Sequence, residues 1–320
     1  MIEISDLKFQ YKNFDVLDIN SLFINTNITT ALCGSNGSGK STLLKCMAGL
    51  LKPKSGSVKI WGKTVSKMSQ NELKNIAIML PEPSLLKRSV RENFKFALKS
   101  VGAQDKFNER TQETLSLVGL DESFLDKRHF ELSSGQNKRV AFALLLSLRA
   151  RLNLLDEPTN AVDLSTARLF SKAIEYAKKK WESNFIIASH DEKWLSAISD
   201  ESVFLHNGRI SEFELKNIYE ASNGMINFGE FSLVLPQNLQ NSKKVAINQN
   251  LVHINQPNAN FIGILHSVSL YYGKNALVKI KAGDFLIKCV IEATRIKKEE
   301  LTTGKIVKFN IDERAFLSIE

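Results

Sequence analysis

The sequence predicts an α/β domain built on a mostly parallel sheet, followed by a small all-β domain that forms a barrel. In the first part of the 320-residue chain, short apolar runs alternate with helical patterns, as in strands joined by crossover helices. A glycine- and serine-rich loop at residues 34–42 connects one apolar run to a helical pattern. From about Lys216 onward, Asn and Gln become common and β-rich segments dominate. We therefore expect domains at residues 1–215 and 216–320.

The chain opens with a strand pattern at residues 2–11, which ends at Tyr11. Tyr11 precedes the strand that leads into the glycine-rich loop. Its ring is either a core aromatic or a platform on which a purine base stacks, a contact worth about 1–3 kcal/mol. The sequence leaves both alternatives open.

The glycine-rich loop fits the pattern G-x-x-x-x-G-K-[ST], and it lies between a strand pattern at residues 28–33 and a helical pattern at residues 42–51. Glycines let backbone N–H groups turn toward a phosphate chain, and the helix N-terminus attracts its negative charge. Lys40 is expected to reach the β- and γ-phosphates, and the Ser41 hydroxyl to bind Mg²⁺. The alternative is a Gly/Ser-rich turn that happens to end in Lys-Ser. The predicted nucleotide-binding residues are Gly34, Ser35, Asn36, Gly37, Ser38, Gly39, Lys40, Ser41 and Thr42.

Strand patterns follow at residues 57–61 and 75–80, and Pro81-Glu82-Pro83 then breaks the chain. Residues 90–130 have a charged, helical pattern. We interpret about residues 85–130 as a helical insertion between two halves of the α/β core.

A second helix begins near residues 132–136 and continues to residue 148. Its start combines Ser133, Gly135 and Gln136, which predicts either a second phosphate site or a simple serine N-cap.

The apolar run at residues 152–155 ends in two carboxylates, Asp156 and Glu157. Such a run predicts a buried parallel strand, and ligands bind at the carboxyl edge of open α/β sheets. Asp156 is expected to hold Mg²⁺ and Glu157 to polarise a water that attacks the γ-phosphate. An ordinary strand-end turn is the alternative.

A helix is predicted at residues 164–180 and another buried strand at residues 185–189, with His190 at its end. His190 is either structural or part of the same phosphate chemistry, and its place at a strand end favours the second. Residues 203–210 predict a hairpin around Asn207-Gly208. Four later strands, at residues 261–270, 276–280, 284–291 and 305–311, predict the small barrel.

Composition limits the functional classes. A hydrophobic content of 43% and a charged content of 24% are ordinary for a soluble globular protein. No apolar run approaches the roughly 18–20 residues that span a bilayer, and the N-terminus lacks a signal-peptide pattern. The cysteines, Cys33, Cys46 and Cys289, predict core residues in a reducing compartment. The basic residues that give the chain its net charge of +9 are scattered along the sequence, so we expect no nucleic-acid partner.

Together these motifs resemble the ATP-binding subunits of ABC transporters over about the first 215 residues. Residues 132–136 resemble the signature L-S-G-G-Q, with Ser134 in place of a glycine, and residues 137–141 continue it in the family manner. Residues 154–159 resemble the Walker B strand and residues 160–163 the D-loop, and His190 stands at the switch histidine.

The resemblance implies an ATPase that uses ATP and Mg²⁺ and works as a homodimer. Ser133 and Gly135 of one chain would contact the γ-phosphate held by the other. It also implies integral membrane permease subunits as partners, an indirect partnership with a periplasmic or extracellular binding protein, and a peripheral location on the cytoplasmic side of the cell membrane. One departure is Pro81, which stands where the family has its Q-loop glutamine. Either Glu82 substitutes for that glutamine, or the contact is absent.

The C-terminal residues are similar to the TOBE domain, an OB-like barrel of importer ATPases and oxyanion-binding proteins. Residues 260–263 resemble its opening strand, and residues 294–301 a turn of molybdate- and tungstate-type members. Lys297 replaces a common serine there, and Asn310 a common lysine. The barrel is expected either to sense an oxyanion or only to help the subunits pair.

Residues 82–93 also resemble tungstate-type importer ATPases, so tungstate or molybdate is the expected cargo. Sugar, polyamine and ferric-ion importers remain alternatives. A soluble ABC protein that acts on ribosomes or DNA is a further alternative. Such proteins usually carry two cassettes or long coiled-coil insertions, and this chain has neither.

Overall fold

Two units make up the chain, Met1–Ile210 and Ser211–Glu320. They are seen in a computed structural model. The residues it describes are 1–83, 85–211, 213–214, 217–229, 231–255, 259–273, 275–295 and 302–319.

Among the described residues, ten strands and seven helices begin within the first unit, and they position the candidate site. The strands are β1 (Ile2–Tyr11), β2 (Phe14–Ile24), β3 (Thr30–Cys33), β4 (Ser55–Ile60), β5 (Lys63–Thr64), β6 (Ile76–Met79), β7 (Leu152–Asp156), β8 (Asn184–Ala188), β9 (Glu201–His206) and β10 (Arg209–Ser211). The helices are α1 (Lys40–Met47), α2 (Gln70–Leu73), α3 (Val90–Ser100), α4 (Phe107–Leu117), α5 (Ser134–Ser147), α6 (Leu164–Trp181) and α7 (Glu192–Ile198).

A six-stranded sheet of order β10-β9-β3-β8-β7-β6 forms the centre of this unit. The pairs β9–β3, β3–β8, β8–β7 and β7–β6 are all parallel. Every residue of β3 and β7 is buried, as expected for strands that are covered on both faces. The predicted α/β class is confirmed.

A second, four-stranded sheet has the order β2-β1-β4-β5. The strand β2 of this sheet was not predicted from the sequence. The helix α7, which is not part of the sheet, was not predicted either. In β2, Leu17, Ile19, Leu22 and Ile24 are buried. The interval between Ile19 and Leu22 breaks strict alternation, so the period-2 signal is weak.

The predicted helical region between β6 and β7 is confirmed as α3, α4 and short 3₁₀ turns. Ser89 begins α3 with a reciprocal cap: its hydroxyl accepts from the Glu92 N–H at 3.2 Å, and its own N–H donates to the Glu92 carboxylate at 3.1 Å.

Within the described residues, no helix has both the length and the apolar character needed to cross a membrane.

The second unit is all-β, as predicted. Its strands are β11 (Ile218–Glu220), β12 (Met225–Asn227), β13 (Ser232–Val234), β14 (Lys244–Ile247), β15 (Val252–Ile254), β16 (Phe261–Tyr271), β17 (Asn275–Ala282), β18 (Phe285–Glu292), β19 (Ile306–Ile311) and β20 (Phe316–Ser318). They form sheets of order β11-β14-β20, β12-β13 and β15-β19-β16-β17-β18. The thiol of Cys289 on β18 donates to the Val252 carbonyl on β15 at 2.8 Å. The two ends of the five-stranded sheet therefore approach each other, and the sheet curls around a buried core that includes Phe228 and Phe309.

Candidate nucleotide-binding and hydrolysis site

Three neighbouring strands of the parallel sheet end at one level. Leu32 of β3 pairs with Ala188 of β8, and Ala188 pairs with Asp156 of β7. The glycine-rich loop follows β3, Glu157 follows β7, and His190 follows β8. The sheet register therefore brings the predicted loop, carboxylates and histidine to the same edge.

The glycine-rich loop fits closely against its neighbours. A Cβ atom at Gly34 would lie 2.2 Å from the Leu205 carbonyl oxygen on β9. One at Gly39, whose φ is +103°, would lie 2.7 Å from the Leu17 side chain on β2. Both positions therefore require glycine. Residues 34–37 are exposed, so their backbone is open to a ligand.

Lys40 folds across this loop. Its Nζ donates to the Gly34 carbonyl at 2.7 Å and to the Ser35 carbonyl at 3.0 Å. Burial lowers the pKa of Lys40, and the nearby carboxylates of Glu157 and Asp156 oppose that shift. A phosphate entering the loop would offer the ammonium stronger, charge-assisted hydrogen bonds than two neutral carbonyls do.

Asp156 is a buried carboxylate with unused oxygens. Its residue is 1% exposed, and within the described chain neither carboxylate oxygen accepts a hydrogen bond of normal length. Burial raises the pKa of Asp156, and the nearby Ser41 hydroxyl opposes the shift. Carboxylate and hydroxyl oxygens are the ligands that Mg²⁺ prefers.

No group of three or more His, Cys, Asp or Glu among the described residues could hold a metal by itself. In phosphate sites Mg²⁺ takes one or two ligands from the protein and the rest from phosphates and water. Ser41 and Asp156 therefore fit a magnesium ion that arrives with a nucleotide.

Glu157 follows β7 in a left-handed conformation, with φ of +51°. Its N–H donates to the Ala188 carbonyl at 2.8 Å, which extends the sheet by one bond. Burial raises the pKa of the Glu157 carboxyl, and the neighbouring His190 opposes the shift. The side chain retains 11% exposure, so solvent still reaches the carboxylate.

The start of α5 shows the N-cap geometry that the sequence offered as one alternative. The Ser133 hydroxyl accepts from the Gln136 N–H at 3.3 Å, and the Ser133 N–H donates to the Gln136 amide oxygen at 3.1 Å. A Cβ atom on Gly135 would meet nothing within 4 Å. No packing among the described residues therefore requires a glycine at position 135.

Tyr11 lies on the surface at the end of β1. It is 47% exposed, packs edge-to-face against Phe9 at 4.8 Å, and pairs across the strands with the exposed Phe14. Tyr11 is therefore not a core residue.

The segment after β6 contacts α5. The Asn137 side-chain amide donates to the Pro83 carbonyl at 3.1 Å. Glu82 is exposed, and it lies close enough to Lys138 that its charge opposes the lowering of the Lys138 pKa by burial.

Lys138 was not among the predicted site residues, and it proves to be buried beside this sheet edge. Its Nζ donates to the Glu157 carbonyl at 3.2 Å and to the Asn160 carbonyl. One signal was available, because Lys138 lies four residues before the fully buried Phe142 and therefore on the buried face of α5.

In the second unit, the Asn310 side-chain oxygen accepts from the Asn260 N–H at 2.6 Å. The side chain that replaces a lysine of the oxyanion-binding pattern thus ties β19 to the start of β16. Lys297, like the rest of residues 296–301, lies outside the described residues.

Comparison with known proteins identifies the family to which the chain belongs. Residues 17–160 match the family model for ABC transporters. The tungstate uptake system ATP-binding protein TupC of Campylobacter jejuni is 36% identical over all of this chain and 94% of its own length. The TupC protein of Peptoclostridium acidaminophilum is 32% identical over 66% of this chain and 97% of its own length.

Among solved structures, cbiO1 of Clostridium perfringens, part of the ABC transporter complex cbiONQ, is 28% identical. It superposes with a TM-score of 0.56 over 66% of this chain and 86% of its own length. The similarity to TupC extends through both units, and the loop, carboxylates and histidine meet at one sheet edge. The chain belongs to the ABC transporter family, as an ATP-binding subunit that hydrolyses ATP.

Proposed function

We propose that this ATPase drives an importer whose cargo is tungstate. The observation that carries the cargo assignment is the 36% identity to a tungstate uptake ATPase along the whole chain, including the second unit. Molybdate has the same charge and a similar tetrahedral shape, so it is the second candidate for the cargo. We assign the ATPase role to residues 1–215 and an accessory role to residues 216–320.

In the proposed site, the exposed backbone of residues 34–37 wraps the phosphate chain. Lys40 exchanges its two carbonyl partners for the β- and γ-phosphates. The neighbouring residues Asn36, Ser38 and Thr42 complete the loop and the first turn of α1. Tyr11, exposed at the end of β1, is available to stack on the base.

Ser41 and Asp156 would hold Mg²⁺, which supplies positive charge to the phosphate oxygens. Glu157 orients the attacking water and accepts its proton as the bond to the γ-phosphorus forms and the bond from that phosphorus to the bridging oxygen of ADP breaks. His190 releases one Glu157 oxygen and turns its imidazole toward the γ-phosphate.

The start of α5 is available to a second molecule. Among the described residues nothing lies where a Cβ of Gly135 would be, and a glycine is expected where another molecule approaches the backbone closely. We assign that molecule to the ATP held by a second copy, contacted by Ser133, Gly135 and Gln136. The working unit is therefore a head-to-tail homodimer around two nucleotides.

The permease subunits of the importer would bind beside the segment that follows β6. An open groove of about 420 Å³ lies there, lined mainly by apolar side chains that include Leu85, Leu144 and Leu148. Leu86 and Phe96 on its rim are 41% and 57% exposed, although large apolar side chains are usually covered. An apolar helical segment of the permease fits this surface, and it would place the chain peripherally on the cytoplasmic side of the membrane. A substrate-binding protein would act on the other side, without touching this chain.

The experiment is tungstate uptake by cells that lack the gene for this chain. Metal analysis should show loss of tungstate accumulation, with sulfate uptake unchanged, and the wild-type gene should restore it. The Glu157→Gln gene should not restore uptake, although the protein is made in equal amount. Normal tungstate uptake in the deletion strain, with molybdate unaffected as well, would assign the chain to another cargo.

A further inference from the structure

Lys138 of α5 carries its charge in a place where burial of the ammonium group is energetically unfavourable. The residue is only 7% exposed, and burying an ammonium group is unfavourable unless it gains strong partners. Burial lowers the pKa of Lys138, and the carboxylates of Glu157 and Glu82 oppose that shift. A methionine would fill the same space without this cost. Packing alone therefore does not explain why an ammonium group is present at this position.

The partners of this ammonium are two carbonyls of one loop. Nζ donates to the Glu157 carbonyl at 3.2 Å and to the Asn160 carbonyl. The Asn160 N–H donates to the same Glu157 carbonyl at 3.2 Å, which closes a tight turn. Lys138 thus holds both ends of the turn that begins at the catalytic carboxylate.

The backbone is strained at the first residue of this turn and at the residue that follows the turn. Glu157 has a φ of +51° and Ala161 a φ of +58°, a left-handed conformation that costs free energy for residues other than glycine. Such conformations persist only where surrounding contacts fix them. The bonds from Lys138 act on the carbonyl of the first strained residue and on the carbonyl just before the second. They therefore help to fix the direction in which the Glu157 side chain leaves the backbone.

The same helix also contacts the segment after β6. Asn137 donates to the Pro83 carbonyl at 3.1 Å, one residue along α5 from Lys138. Glu82, next to Pro83, supplies a negative charge near the ammonium. The segment after β6 and the turn after β7 thus meet on two consecutive residues of α5.

We propose that Lys138 is a positioning residue for ATP hydrolysis: its ammonium fixes the strained turn that aims the Glu157 carboxylate at the attacking water. Lys138 does not touch the nucleotide in this arrangement. The inference rests on the proposed role of Glu157, and it adds a link from the segment after β6 to the catalytic carboxylate.

The test compares ATPase kinetics of the full-length wild-type chain with those of Lys138→Met and Lys138→Gln. Lys138→Met keeps the apolar stem and removes the donors, so kcat should fall by about tenfold to a hundredfold, as small misplacements of catalytic groups do. KM for ATP and the affinity for a non-hydrolysable ATP analogue should stay near the wild-type values. Lys138→Gln keeps a donor and should recover part of kcat.

Lys179→Met is the matched control, because Lys179 is exposed and its ion pair within the described residues is with Glu175 on its own helix. Its kcat should equal that of the wild type.

Two results would overturn the inference. One is a wild-type kcat in both Lys138 variants. The other is a parallel loss of melting temperature, ATP affinity and kcat, which would describe a merely structural lysine. If Lys138→Met does not fold, Lys138→Gln decides by the same comparison of kcat, KM and melting temperature. Absence of ATP hydrolysis by the wild-type chain would instead contradict the proposed function itself.

Discussion

His190 holds both oxygens of the Glu157 carboxylate. Its Nδ1 lies 2.8 Å from Oε1, and its backbone N–H donates to Oε2 at 3.3 Å. The two residues follow neighbouring strands, β7 and β8. In the proposed mechanism, the imidazole would leave Oε1 for the γ-phosphate, and the attacking water would take its place beside the carboxylate.

Glu157→Gln should nearly abolish hydrolysis and leave ATP binding intact. The amide keeps the shape of the side chain but cannot accept the proton of the attacking water, a contribution of about 10²–10⁴ in rate. Phosphate release measures the rate, and light scattering should detect an ATP-dependent dimer in this variant. Glu175→Gln, on the exposed face of α6, is the control. Hydrolysis at the wild-type rate would remove Glu157 from the mechanism.

Lys40→Ala should weaken ATP binding without unfolding the protein. The lost charged hydrogen bonds are worth about 1.5–3 kcal/mol, which corresponds to roughly tenfold to a hundredfold in affinity. Calorimetric titration measures this, with Lys52→Ala on the exposed chain after α1 as the control. An unchanged affinity would mean that the phosphates bind elsewhere.

Asp156→Asn should stabilise the nucleotide-free protein at neutral pH. Burial raises the pKa of Asp156 above its ordinary value of 3.8, so the charged carboxylate opposes folding. The corresponding stability is fully present below the unfolded-state pKa and is lost as the pH rises through the higher folded-state pKa. Asn removes this buried charge, whose oxygens have no hydrogen-bond partner among the described residues to offset its burial. Urea unfolding should show the gain at pH 7 and a smaller gain near pH 4.

Asp200→Asn is the control with the opposite sign. Asp200 accepts from Lys178 at 2.9 Å and from the Thr29 N–H at 2.8 Å, and these bonds lower its pKa despite burial. Its substitution should destabilise the protein at pH 7. If both variants shift stability in the same direction, the unsatisfied state of Asp156 is not the cause. Mg²⁺ with ATP should stabilise the wild type and not Asp156→Asn.

The sequence was sufficient where a short pattern determines both structure and chemistry. Lys40, Asp156 and Glu157 lie in patterns whose spacing fixes a strand end and a helix start, and the sheet register then brings them together. Lys138 was missed because its role depends on a turn that is distant in sequence, and its strain is visible only in backbone angles. The strand β2 was missed because its buried residues break strict alternation.

The last prediction concerns the second unit, where a groove lies around Asn310. In the oxyanion-binding pattern a lysine is common at this position, but here the Asn310 side-chain oxygen already accepts from the Asn260 N–H. The groove also contains the carboxylates of Asp312 and Glu313, and the hydrogen bonds from Arg314 hold the pKa of Asp312 well below its usual range. A tetrahedral dianion would therefore meet negative charge and few free donors, and we expect no tungstate binding in this groove.

Thermal unfolding of the full-length chain tests this expectation. Tungstate, molybdate, sulfate and phosphate should all give equal, small shifts that reflect ionic strength alone. Asn310→Lys restores a cation, and only this variant should gain a preference for tungstate, whereas Lys308→Asn on the same strand should change nothing. A bound ligand at 100 times its Kd stabilises a protein by about 2.7 kcal/mol, so a true site is easily detected. If tungstate but not sulfate stabilises the wild type and Lys40→Ala alike, the anion binds outside the glycine-rich loop, and the expectation for the second unit is wrong.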